Sequence, residues 1–106
     1  MKTHREIDNR SLAMAREIVK RIDADPQHGG LEHAREVCRW WNSRRPSPAV
    51  SEWLEILEKP WSDIRSILLD EGERGKRLRQ SSPFVGILSN RERWRIYREH
   101  QSYDPN

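Results

Sequence analysis

Along the chain, apolar residues return at three- and four-residue intervals in stretches punctuated by Pro, Gly and Asp. Leu12, Ala15, Ile18, Val19 and Ile22 form one such stripe, with Arg16, Glu17, Lys20 and Arg21 on the other side; that is the spacing of an amphipathic helix. Asn9 or Ser11 is its expected start, and DADPQHGG its end, where Pro26 removes a backbone donor and two glycines release the chain. Leu31, Ala34, Val37, Cys38 and Trp41 predict a second helix over about residues 30–43. Trp40 stands about 100° round from Trp41, so one of the two indoles is expected at a boundary or partner surface.

Ser47 as a cap and Pro48 in the first turn predict a third helix carrying Val50, Trp53, Leu54 and Leu57, with Ile56 widening its face. After Lys59 and Pro60, a fourth presents Ile64, Ile67 and Leu68, with Leu69 beside them and Trp61 over the joint. Gly72 and Gly75 leave two outcomes open: the helix stops at Gly72, or bends and resumes through Arg79. Ser82 is pushed out of helical geometry by Pro83, which makes SSPFVG a break. Ser89 and Glu92 have capping-box spacing, and a last helix follows over residues 91–100, with Trp94 and Tyr97 sharing a face.

The pattern as a whole predicts an all-α fold, a compact bundle of about five short helices with a proline-broken, basic C-terminal segment. Its expected parts are a helical core over residues 9–71 and the basic segment over residues 72–100. There is no run of alternating strands, no internal repeat and no sustained heptad.

Charge sharpens this division. A chain of 106 residues with 35% charged side chains has little room for a large core, so a partner or self-association is a candidate source of part of its stability. The formal charge of +3 is unevenly spread: residues 51–71 hold six acidic and two basic side chains, residues 73–98 two acidic and eight basic. The basic segment favours an acidic surface or a nucleic acid. A single cysteine provides neither a disulfide framework nor a cysteine metal cage. No apolar stretch has the length of a signal-peptide core or the roughly 20 residues of a membrane span, so the expectation is a cytoplasmic protein with no membrane partner.

Catalysis finds little support. His4, His28, His33 and His100 are scattered, and Glu52, Glu55 and Glu58 drift round their helix at three-residue spacing. They suit a solvated face, or an acidic patch that pairs with arginines. Cys38 lies on an apolar face with no base beside it, and GERGKRLRQS lacks the spacing of a phosphate loop. No catalytic residue, metal ligand or cofactor is expected.

Binding is better supported. Arg74, Lys76, Arg77 and Arg79 form one basic cluster; Arg91, Arg93, Arg95 and Arg98 form another around Trp94 and Tyr97. Guanidinium groups with exposed rings suit nucleic acid, but a recognition helix normally presents shorter hydrogen-bonding side chains to base edges beside its phosphate contacts, and no helix-turn-helix signature is visible. The same residues suit a protein interface, where Trp and Arg are favoured at energetic centres. Phe84, Val85, Ile87 and Leu88 then provide either an extended apolar anchor or a lid on the core.

RLRQSSPFVGILSNRERWRIYR, supported upstream by RSLAMAREIVKRIDADP and CRWWNSRRPSPAVSEWLEIL, resembles the C-terminal region of small bacterial antitoxins encoded beside nucleotidyltransferase-like toxins. The resemblance covers most of residues 11–98. It implies a non-enzymatic protein that neutralises a cognate toxin, nucleotidyltransferase-like, by direct binding. The partner-binding residues carried over are Arg77, Arg79, Gln80, Ser82, Pro83, Phe84, Leu88, Arg93, Trp94 and Tyr97; Ser81 is part of the distinctive Arg77–Phe84 match, and Gly86 and Glu92 extend it. On that placement, charge reversal at Arg77 and Arg79, or Phe84→Ala, is expected to weaken binding and leave the fold largely intact. A small basic DNA-binding or transcriptional regulatory protein is the alternative.

Overall fold

The longest element of the computed structural model, which describes residues 4–100, is α1 (His4–Ala24). Leu12, Met14, Ala15, Ile18, Val19 and Ile22 are its buried stripe. The helix is already formed at His4, so Asn9 and Ser11 lie inside it rather than at its start. The Ser11 hydroxyl donates back to the Asp8 carbonyl at 2.9 Å, which satisfies it within the helix and removes its pull towards a capping geometry.

Asp25 organises the turn that follows. Its carboxylate accepts from the backbone N–H groups of Gln27 at 3.0 Å and Gly29 at 2.7 Å, and so supplies the cap that His28 does not. His28 itself takes a left-handed conformation, φ 50°. Then α2 (Gly29–Arg44) runs into α3 (Pro48–Ile56). The Ser47 hydroxyl accepts from Val50 N–H at 3.2 Å, with Pro48 in the first turn where its missing donor costs nothing. Arg35 Nε donates to the Leu57 carbonyl at 2.9 Å, while the Cys38 thiol faces the Val50 carbonyl at 3.6 Å. These pairings make α2 and α3 an antiparallel hairpin.

A tight joint leads to α4 (Trp61–Leu68), tied to the end of α1 through Asp23, which accepts from Trp61 Nε1 at 2.8 Å and Arg65 Nε at 3.0 Å. The ambiguity at Gly72 and Gly75 resolves into a stop and a fresh start. After α4 ends, α5 (Glu73–Arg79) begins on the Asp70 carboxylate, which accepts from Gly72 and Gly75 N–H at 3.0 Å each. A Cβ on Gly75 would stand 2.1 Å from the Asp70 carbonyl oxygen, so this glycine permits a close approach of backbone to backbone.

SSPFVG is a break. Residues 81–84 turn and Val85–Ile87 adds one turn of 3-10 helix before α6 (Asn90–Glu99). Both halves of the capping box form: Glu92 N–H donates to Ser89 Oγ at 3.1 Å and Ser89 N–H to Glu92 Oε1 at 2.9 Å. Along α6, Glu92 meets Arg21, Arg95 meets Glu17 and Tyr97 meets Arg10, so α6 lies antiparallel on α1.

The described residues thus form an all-α bundle of six helices without strands, against the five expected, because the Asp70 turn separates α4 from α5. α1 packs against α2, α4, α5 and α6. Leu78, Phe84, Leu88 and Ile96 belong to the same apolar cluster as Ile18, Ile22, Trp53, Ile64 and Leu68, so the basic C-terminal segment shares its core with the preceding helices. None of the described helices is long and apolar enough to cross a membrane.

Candidate partner-binding surface

The basic cluster of α5 is largely engaged with the protein itself. Arg77 forks onto Glu52 of α3, Nη1 to Oε1 at 2.7 Å and Nη2 to Oε2 at 3.1 Å, with Arg74 Nε 3.5 Å from Oε2. The hydrogen bonds from Arg77 hold the Glu52 carboxyl below the usual carboxylate range and raise the Arg77 guanidinium in return. Glu52 is therefore the one member of the acidic triplet that pairs with arginine, while Glu55 and Glu58 stay solvated.

Arg79 turns inward. Only 7% exposed, it donates from Nε to Ser11 Oγ at 3.1 Å and from Nη1 to the Leu68 and Asp70 carbonyls at 3.1 and 2.5 Å. It joins α1, the C-terminal end of α4 and the Asp70 turn, and satisfies carbonyls that the end of α4 leaves free. Burial pulls its pKa down, a tendency that the nearby Asp70 charge opposes. Its role as a partner-facing cation is corrected on this ground: the guanidinium is spent on internal acceptors.

Of the two outcomes open to the apolar segment, anchor or lid, the residues expected to face a partner, Pro83, Phe84 and Leu88, form the lid on the core. Phe84 is 0% exposed and packs edge-on against Trp53, whose Nε1 donates to the Leu78 carbonyl at 3.0 Å. Pro83 and Leu88 are buried too. These side chains close the core, because an aromatic and a leucine gain more from that cluster than from water. Ser82 is half-buried and accepts the Phe84 N–H at 3.2 Å; Gln80 is exposed.

What the C-terminal segment does offer lies on α6. Arg91, Trp94, Arg95 and Arg98 are all exposed at spacings of three, four and seven residues, which places them on one outward face. Trp94, 63% exposed, meets Tyr97 edge-on with ring centroids 6.0 Å apart. Tyr97 is half-buried beneath the Arg10 guanidinium, 4.5 Å above its ring, and Arg93 is half-buried and donates to Asn90 Oδ1. Arg95 has carboxylates of Glu17 and Glu99 at 3.8 Å; Arg91 and Arg98 form no ion pair among the described residues. The inward side carries Ile96, buried against α1.

Of the ten residues expected to face a partner, Trp94 is the large exposed one, with Arg77 and Gln80 at the surface of α5. Arg91, Arg95 and Arg98 belong with Trp94, and their shared face was already readable from their spacing. No group of three or more His, Cys, Asp or Glu that could hold a metal ion occurs among the described residues. In comparisons with protein-family models, curated proteins and solved structures, nothing matches this chain.

Proposed function

We propose that this chain is an antitoxin-like protein that neutralises a cognate nucleotidyltransferase-like toxin by direct protein–protein binding, with the outer face of α6 as the contact. The observation that carries the reading is the stripe Arg91, Trp94, Arg95 and Arg98: a large exposed ring among three cations, two of them without an ion pair among the described residues. Trp and Arg are the residues most favoured at interface hot spots, where a ring fills a recess and guanidinium groups meet carboxylates. A nucleotidyltransferase needs carboxylates to hold its metal ions, so it presents the complementary charge. The toxin would carry the chemistry and this chain the blocking surface.

A DNA-binding regulator would use the same arginines on phosphates. The outer face of α6 centres on an exposed indole, which suits an apolar recess, and no helix-turn-helix signature accompanies it; both favour a protein partner. The test is to look for a nucleotidyltransferase-like reading frame encoded beside this chain and to co-express the two. The intact chain should co-purify with the toxin and restore growth, and the pair Arg91→Glu and Arg98→Glu should lose both. Retention of the complex by that variant would overturn the placement, and a salt-dependent shift of duplex DNA by the chain alone would favour the regulator.

A further inference from the structure

We infer that α2 carries a second docking surface, away from its packed side, that takes an acidic segment of a partner protein bearing an apolar side chain. α2 buries Leu31, Ala34 and Cys38 in the core. Round the helix from that side, His33, Glu36, Val37, Trp40 and Trp41 line an open depression of about 380 Å³. Trp40 is 58% exposed, and Val37 and Trp41 beside it are half-buried. A lone exposed indole would be ordinary. Here the indole continues two half-buried apolar neighbours into a concave surface, the form in which an apolar side chain is received.

Charge selects the occupant. Arg44 stacks over the Trp40 ring at 5.4 Å, and Arg45 follows it at the surface; neither forms an ion pair among the described residues. Both gain from the partial negative charge at the C-terminal end of α2, so their presence alone implies no ligand. Combined with the depression they form an apolar floor with cations at one end. Glu36 lines the same floor. A nucleic-acid backbone, with a phosphate at every step, would lie across that carboxylate. A peptide need place its own carboxylates only at the Arg44 and Arg45 end, leaving its backbone N–H groups to meet Glu36.

The experiment follows the indole N–H signals of the full chain by NMR, each of the five tryptophans assigned by Trp→Phe substitution. A copolymer of glutamate and tyrosine is the probe; polyglutamate and an oligothymidylate are the comparisons. The Trp40 and Trp41 signals should shift with the copolymer and much less with polyglutamate. Trp53, bonded to the Leu78 carbonyl, should stay fixed. Arg44→Glu with Arg45→Glu should weaken the copolymer titration by about tenfold or more, and Trp40→Ala, which leaves the helix end untouched, should do the same.

Equal shifts with polyglutamate would overturn the apolar part of the proposal. Shifts with oligothymidylate alone, or on concentrating the chain without probe, would replace the acidic segment by nucleic acid or by a second copy. Movement of Trp94 with Trp40 unmoved would defeat this surface and leave the α6 reading standing. If Trp40 moves and Trp94 does not, the surface on α2 holds independently of that reading.

Discussion

Phe84 meets Trp53 edge-on, with ring centroids 5.9 Å apart and planes 66° to one another, and neither side chain is exposed. The contact joins the proline-broken segment to α3 across 31 residues of chain. Phe84→Ala would remove a buried ring from a packed site and leave a cavity, so the expected cost is about 3–5 kcal/mol of folding stability. Urea unfolding monitored by circular dichroism measures it. An unchanged midpoint would mean that the ring is not in the core.

Arg79 is expected to behave as a structural cation. Arg79→Met keeps much of its aliphatic length but withdraws the donors from Ser11 Oγ and the Leu68 and Asp70 carbonyls. Leaving buried acceptors unsatisfied costs about 1–3 kcal/mol for each, and the melting temperature should fall accordingly. Arg77→Met, whose fork to Glu52 lies at the surface, should change stability by less than about 1 kcal/mol. The contrast between the two separates a buried arginine from a solvated one only two residues away.

Much of the fold is written in local signals. Ser47 with Pro48, and Ser89 with Glu92, mark helix starts because the atoms that satisfy one another are three residues apart or fewer. What the local pattern leaves undetermined depends on distant partners. Gly75 in sequence is only a weak point for a helix; its necessity comes from the Asp70 carbonyl above it. Arg79 stands in a run of cations that reads as a solvated face, and only the folded positions of Ser11 and Leu68 draw it inward. The proposed binding surface shows the same division. That Arg91, Trp94, Arg95 and Arg98 share a face follows from spacing. That Tyr97, expected beside Trp94, is half-buried under Arg10 depends on α1, and the fate of Phe84 required knowing that Trp53 waits beside it.

Gly75→Ala tests the close approach directly. The added methyl group would press on the Asp70 carbonyl and force α5 away from the turn; overpacking of this kind costs about 1–3 kcal/mol. Gly72→Ala meets only the Asp70 carboxylate, at 3.3 Å, and should be the milder change. Paired thermal melts of the two variants settle the order.

Acid should weaken the fold through its capping and paired carboxylates. Asp70 and Asp25 are held below the usual range by backbone N–H groups, Asp23 by Trp61 and Arg65, and Glu52 chiefly by Arg77. Groups depressed in the folded chain are protonated first in the unfolded one as pH falls. Their contribution is therefore complete above the ordinary carboxylate range and lost as pH drops through the folded values. The urea midpoint should be level from neutrality to about pH 5 and decline below about pH 4. Asp70→Asn should lower the midpoint at pH 7 and flatten part of the decline.

Trp94→Ala should leave stability within about 0.5 kcal/mol, as expected for a substitution at an exposed site, while removing the ring at the centre of the α6 face. Circular dichroism and toxin co-purification, made on the same preparation, should diverge: a native melt together with a lost complex.

The antiparallel seating of α6 on α1 bears on how the protein comes into being. α1 leaves the ribosome well before some of the partners that cover its stripe, from Leu78 through Phe84 to Ile96. A nascent chain without them leaves part of the α1 stripe uncovered, since α2 and α4 cover only the remainder, and is a ready substrate for chaperones and proteases. Because α6 both completes the interior and displays Trp94, a chain that survives such surveillance is one whose proposed binding face has already been assembled.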